Sequence, residues 1–174
     1  KSDKVSYFLS SSYTDVEGIQ LNDKFKRLTV RSNLETEVKK WLTLGLNASY
    51  SHTDNSGFAA NLNAARLASP LVDNKIGSPN YDIYLGGELF QPYPLVNLFI
   101  DNSDTENELF AVGRAKITVP GIEGLKYELN YSHIYNTGNI NSFHNNNTPQ
   151  GVSNRGLARK EPSESRDWIV KWAA

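Results

Sequence analysis

Hydrophobic and polar residues alternate with a period of two along six stretches of this chain: Val5–Tyr13, Phe25–Val38, Leu42–His52, Leu109–Val119, Leu125–Tyr135 and Asp167–Ala174. Successive side chains on a β-strand point to opposite faces, so this period predicts strands with one apolar and one polar face. The third stretch is the clearest. Leu42, Leu44, Leu46, Ala48 and Tyr50 form one set, and Thr43, Gly45, Asn47 and Ser49 the other. The fifth sets Leu125, Tyr127, Leu129 and Tyr131 against Lys126, Glu128, Asn130 and Ser132. The second sets Leu28, Val30, Leu34 and Val38 against Arg27, Thr29, Arg31, Asn33, Glu35 and Glu37, and the last sets Trp168, Val170 and Trp172 against Asp167 and Lys171. In the fourth, Leu109, Ala111, Ala115 and Ile117 oppose Arg114, Lys116 and Thr118. Phe8, Phe110 and Val112 blur an otherwise regular pattern.

The connections sort by parity. Lys39–Trp41 and Pro120–Gly124 are short, whereas Thr14–Lys24, Thr53–Glu108 and Asn136–Arg166 are long. Transmembrane β-barrels of the outer-membrane type carry tight turns at one end and long loops at the other, and a soluble sandwich has no reason to do so. From Leu42 to Tyr50 a strand rises about 27 Å, which at a tilt near 40° spans roughly 20 Å of membrane height. Trp41 stands at the short-turn end, and Tyr50, Tyr131 and Tyr135 at the long-loop end, as in interfacial girdles. Aromatic packing across strands in a soluble core is the competing account. Outer-membrane barrels begin at about eight strands, and an open sheet would leave unpaired edges in lipid. The expectation is therefore all-β: an antiparallel barrel section of about six strands, residues 1–174, cut from a larger barrel. Its start at Lys1, with neither an initiator Met nor a signal-peptide pattern, fits a section.

Within the connection 53–108, Phe58–Ala68 has helical spacing, with Ser56-Gly57 as a start and Pro70 as a stop. An aromatic stretch follows with Tyr81, Asp82, Tyr84 and Tyr93, and the last connection contains Asn145, Asn146 and Asn147. Rings stack on sugar faces and amides bond to hydroxyls, so Tyr81, Asp82, Tyr84, Tyr93, Asn145 and Asn146 are the candidate substrate-binding residues.

Composition removes other chemistries. With no Cys among 174 residues there are no thiolates or disulfides, and a net charge of −1 gives no basic surface for nucleic acid. Mean hydropathy is −0.50, and no run approaches the 18 or so apolar residues of a spanning helix. His52, His133 and His144 are dispersed, without metal-binding spacing. The acidic run Asp101–Glu108 offers oxygen ligands that could take Ca²⁺ but lacks the glycine and spacing of an EF-hand, so a solvated loop is the expectation and no cofactor is called for. Glu35, Glu37 and Glu128 read as a wet, charged lumen wall rather than as a glycosidase pair. No nucleophile or phosphate-binding motif is present, and the chain is not expected to be an enzyme.

Several ordered motifs resemble the SusC/RagA family of TonB-linked outer-membrane transporters. They are Tyr7-Phe8-Leu9 with Glu17-Gly18-Ile19; Phe25-Lys26-Arg27 with Arg31-Ser32-Asn33-Leu34; and Trp41-Leu42 with Gly45, Asn47 and Ser49-Tyr50-Ser51. Arg66, Ala68-Ser69-Pro70, Asn80-Tyr81 and Pro94-Leu95-Val96 follow, then Gly121–Lys126 before the next strand. The resemblance implies a middle section of a 22-stranded barrel in the outer membrane of a Gram-negative bacterium of the Bacteroidota. The plug, TonB box and closing strand lie outside this section. It implies TonB-driven import of an oligosaccharide or oligopeptide. The implied partners are a SusD-like surface lipoprotein, outer-membrane lipid and, through parts outside this chain, TonB-ExbB-ExbD. The alternative is a soluble or surface β-sandwich module for carbohydrate binding or adhesion.

Overall fold

The computed structural model describes residues 4–68, 83 and 93–173. These residues form one six-stranded antiparallel sheet in sequential order. The strands are β1 (Val5–Glu17), β2 (Lys24–Lys39), β3 (Leu42–Asp54), β4 (Ile100–Thr118), β5 (Lys126–His144) and β6 (Leu157–Ala173). Each expected stretch lies almost entirely within a strand. The all-β expectation therefore holds at the level of an antiparallel meander.

Cross-strand partners share a face, so the register settles which side chains stand together. One row runs Val5, Thr36, Leu44, Ala115, Leu129 and Trp172. The next on that face runs Tyr7, Leu34, Leu46, Gly113, Tyr131 and Val170. The opposite face carries Ser6, Glu35, Gly45, Arg114, Asn130 and Lys171 in one row, and further along a mixed row of Ser10, Arg31, Ser49, Phe110, Ile134 and Asp167. The parity read from single strands thus persists across five interfaces. The bulge between Glu37 and Lys39 absorbs the extra residue Val38 beside the Lys40-Trp41 turn.

The strands are longer than the alternation indicated, all at one end. β4 begins at Ile100 rather than Leu109, β5 continues to His144 rather than Tyr135, and β6 begins at Leu157 rather than Asp167. The extensions are mostly polar on both faces, for example Ser103–Asn141–Lys160 on one and Glu106–Gly138–Ser163 on the other. A strand that buries neither face has no period-two signature, which is why these lengths looked like loops. The connections shrink to residues 18–23, 55–99 and 145–156 at that end. At the other end they are the turn Lys40-Trp41 and the segment 119–125, where Gly121 and Gly124 take positive φ. The contrast in length survives chiefly at 55–99.

Helix α1 spans Leu62–Leu67, shorter than the expected Phe58–Ala68. Its start is Asn61, whose side chain accepts from Ala64 N at 3.0 Å, instead of Ser56-Gly57; Pro70 lies outside the described residues. A second helix, α2 (Pro149–Asn154), was not anticipated. Its N-cap Thr148 is fully buried and accepts from Gly151 N at 3.1 Å, with Pro149 in the first turn. Gly151 is required there, since a Cβ would fall 1.8 Å from the carbonyl oxygen of Asn145. Replacing Thr148 with Val keeps the shape but removes the cap. It should cost about 1 kcal/mol locally, read as faster protease cleavage within 145–156 without loss of the sheet.

Candidate functional site: the two faces of the sheet

The apolar face is uncovered. Leu44, Leu46, Leu129 and Trp172 are 40, 47, 48 and 79% exposed. Among the described residues no second layer packs on it, and the strand residues with the least exposure, Ser51 and Thr53, belong to the polar face. All eight Tyr and Trp residues within the strands sit on the apolar face: Tyr7, Tyr13, Tyr50, Tyr127, Tyr131, Tyr135, Trp168 and Trp172. Of the Phe, Tyr and Trp rings within the strands, the polar face has three, all phenylalanine: Phe8, Phe25 and Phe110.

This apolar band has an oblique upper limit. On that face the last ring or large aliphatic residue before polar ones is Tyr13 on β1, paired with Leu28 on β2. On β3, β4 and β5 it is one row lower, at Tyr50, Leu109 and Tyr135, and on β6 lower again, at Trp168. A drift of two rows over five strand gaps corresponds to strands tilted by about 30° from the normal to a flat boundary. That is close to the roughly 35–45° of membrane barrels. Within the band Ser32 and His133 share a row with Leu9, Ala48, Ala111 and Trp168; the His133 ring stacks on Tyr131 at 6.4 Å.

The polar face carries an ordered charge cluster. Arg114 Nε donates to Asn130 Oδ1 at 3.1 Å and lies 3.4 Å from Glu128 Oε1, while Asn130 Nδ2 donates to the same carboxylate at 3.1 Å. Both charged side chains are 39% exposed, so water screens the pair and its role is orientation more than stability. Parity places all three on one face, but only the register shows that β4 and β5 bring them together.

Above the band, the chain after β3 is tied down at several points. Asn55 N donates to Asp104 O at 2.8 Å and Asp104 N to Ser56 Oγ at 3.0 Å, prolonging the β3–β4 pairing. Ala60 N donates to Leu21 O at 3.1 Å and Asn22 Nδ2 to Phe58 O at 3.2 Å, linking the segment to the β1–β2 turn. The hydroxyl and backbone N–H of Ser56 hold the Asp54 carboxyl below the ordinary carboxylate range. The stabilisation this gives is present at neutral pH and is lost as pH falls through the lowered value.

Of the candidate binding residues, Tyr81, Asp82 and Tyr84 lie outside the described residues. Tyr93 is half-buried, and its N–H donates to Ile83 O at 2.8 Å. Asn145 works as a brace: its Nδ2 donates to Phe99 O at 2.8 Å and its Oδ1 accepts from Asn147 N at 2.9 Å. Asn146 beside it is exposed. The Phe99 carbonyl therefore joins the end of the long connection to the β5–β6 connection. Sequence reasoning missed the Arg114–Asn130–Glu128 cluster, because charge alternation looks the same whether or not neighbouring strands align.

Among the described residues no group of three or more acidic, His or Cys side chains is placed to hold a metal ion. The two-faced sheet rests on this chain's own geometry, for the sequence matches no protein-family model and no curated protein.

Proposed function

We propose that this chain is a section of an outer-membrane transport barrel of the SusC/RagA type, its apolar face toward lipid and its polar face toward the lumen. The single observation that carries the reading is the uncovered apolar face with its oblique, Tyr- and Trp-bearing upper limit. Water does not tolerate that much contiguous apolar surface on a monomer. A flat lipid boundary explains the drift of its edge across the register, which a soluble core leaves without a cause. The two sheet edges are paired by further strands of the same barrel, because unpaired backbone groups in hydrocarbon cost several kcal/mol each.

In this role the protein imports a nutrient, an oligosaccharide or an oligopeptide, through the lumen, with energy delivered through TonB and a SusD-like lipoprotein closing the outer mouth. Tyr81, Asp82, Tyr84, Tyr93, Asn145 and Asn146 belong to connections at that mouth and meet the cargo or the lid. No covalent step is involved. The soluble β-sandwich alternative requires a second layer over the apolar face.

Three measurements test this. Leu44→Arg in the full-length protein should destabilise the folded barrel by roughly 2–4 kcal/mol if that residue lies near the midplane and by less toward the interface, while Asn47→Arg has a mild effect; equal losses in denaturant titrations in detergent would refute the two-sided assignment. The isolated 174-residue chain should aggregate in detergent-free buffer. A monodisperse, cooperatively melting monomer there would establish the soluble alternative. Removing residues 79–94 from the full transporter should leave barrel levels in the membrane unchanged but reduce growth on the imported nutrient and co-purification of the lipoprotein. Wild-type values for both would deny the connection any part in uptake.

A further inference from the structure

Beyond the apolar band β4 and β5 run on side by side, and both of their faces are polar there. Water accepts charge on either face, yet the two faces differ. On the inward one β4 carries Asp104, Glu106 and Glu108 at successive positions. On the outward one, three rows lie between the pair Leu109–Tyr135 and the pair Asp101–Phe143, and on these two strands they hold no charge. Each row sets a hydroxyl beside an amide: Thr137 beside Asn107, Thr105 beside Asn139, and Ser103 beside Asn141. Alternation does not demand this, since water alone would accept carboxylates on both sides.

The patch is bordered by its own chain. The end of β3, prolonged by the Asn55–Asp104 bond, lies on one side and β6 on the other, so β4 and β5 have both their neighbours. At the base Asn107 ties the patch to the ring row of the band. Its Oδ1 accepts from the Tyr50 hydroxyl at 2.8 Å and lies 2.8 Å from His52 Nδ1, and its Nδ2 donates to Thr137 Oγ1 at 3.3 Å. At the tip Phe143 is 43% exposed. The turn after α2 brings Gly156, at φ +97°, alongside that ring, where a Cβ would lie 3.6 Å from Cε2. The ring is steadied on one side and open on another. With Asp101, Ser103, Asn141, Ala158 and Lys160 it walls a hollow of about 510 Å³.

From Tyr135 to Asn141 β5 rises about 20 Å, roughly 15 Å of height at a tilt near 40°. A phospholipid headgroup layer is only about 5–8 Å deep, so it ends below Phe143. The outer leaflet of a Gram-negative outer membrane is headed instead by a deep layer of phosphorylated sugars. Amides and hydroxyls exchange hydrogen bonds with sugar hydroxyls, and an exposed ring offers its face to the apolar side of a sugar ring. Phosphates repel carboxylates at close range, and the outward rows lack the three that β4 turns inward.

We propose that the outward face of β4 and β5 beyond the band binds the saccharide headgroup of lipopolysaccharide, with Phe143 against a sugar ring and the paired hydroxyls and amides on its hydroxyl groups. The inference rests on the transporter reading and adds to it a specific lipid partner on the outer wall, on the side away from lumen and plug.

The test uses the full-length outer-membrane protein that contains this chain, purified in detergent and stripped of lipid. Calorimetric titrations use rough-type lipopolysaccharide, the lipid A released from it by mild acid, and phosphatidylethanolamine. Lipopolysaccharide should bind about ten-fold or more tighter than lipid A, and phosphatidylethanolamine should not saturate. Phe143→Ala, and Asn139→Asp combined with Asn141→Asp, should each weaken lipopolysaccharide binding by about ten-fold or more and leave the affinity for lipid A unchanged. Ser142→Asp, an added charge on the inward face of the same strand, should change little. Heat-modifiable gel migration reports whether each variant keeps its barrel, and the wild-type comparison decides the matter for any that does not assemble. Equal affinities for lipopolysaccharide and lipid A, or folded variants with wild-type lipopolysaccharide affinity, would overturn the proposal. So would variants that lose only the co-purifying lipoprotein, because the surface would then belong to the lid. Absence of the protein from the outer membrane fraction would instead overturn the transporter reading.

Discussion

A single-layer sheet has two faces and no interior, and everything else in this structure depends on how each face is solvated. Backbone pairing within the sheet satisfies the N–H and C=O groups of the inner strands whatever lies outside. Side chains are different. With Leu44, Leu46, Leu129, Tyr131, Val170 and Trp172 on one face and Glu35, Arg114, Asn130 and Lys171 on the other, one environment must be apolar and the other wet. A globular protein supplies the apolar one with a second layer. A barrel in a membrane obtains it from lipid, and closure of such a barrel pairs its edge strands at the same time.

That division also explains which parts of the fold were legible in the sequence. The parity of Leu42–Tyr50 and Leu125–Tyr131 was readable because a wet and an apolar environment demand opposite chemistry at adjacent residues. The outer thirds of β4, β5 and β6 were not, since Ser103, Asn141, Glu106 and Ser163 meet water on either face and nothing forces alternation. Helix α1 was displaced for a similarly local reason. Asn61 captures the Ala64 N–H, a stronger start than Ser56-Gly57, where Ser56 is already engaged with Asp54 and Asp104. Helix α2 carried a readable signal, Thr148-Pro149 at a cap and first turn, hidden inside an Asn-rich stretch.

The candidate site divides along the same line. Residue types predicted which face each strand side chain occupies, because that is a property of one strand. They did not predict that Arg114, Asn130 and Glu128 meet, or that Ser103, Thr105 and Asn107 stand beside Asn141, Asn139 and Thr137, because those depend on register. Register is fixed by short connections. The Lys40-Trp41 turn sets β2 against β3, and Val119 N donating to Leu125 O at 3.0 Å closes the turn that sets β4 against β5. The pairing of β3 with β4, separated by residues 55–99, has no such local device. It is guided by the apolar rows themselves, since a slip of one residue would turn Leu44 and Leu46 to the wet side.

Strand length carries a further consequence for the end of the sheet that bears the longest connection. β4 and β5 each have 19 residues, roughly 60 Å of strand and, at a tilt near 40°, more than 40 Å of height. The apolar band occupies only about 20 Å of that. The sheet therefore continues past the apolar band as a hydrogen-bonded wall, with α2 and Asn145 closing its tip. A paired wall holds its side chains far more rigidly than free loops of the same length, and ordering such loops on binding would cost conformational entropy. Polar groups there, such as Glu106, Asn136 and Ser165, are accordingly pre-positioned, so whatever docks at this end of the sheet meets a surface whose geometry is set beforehand.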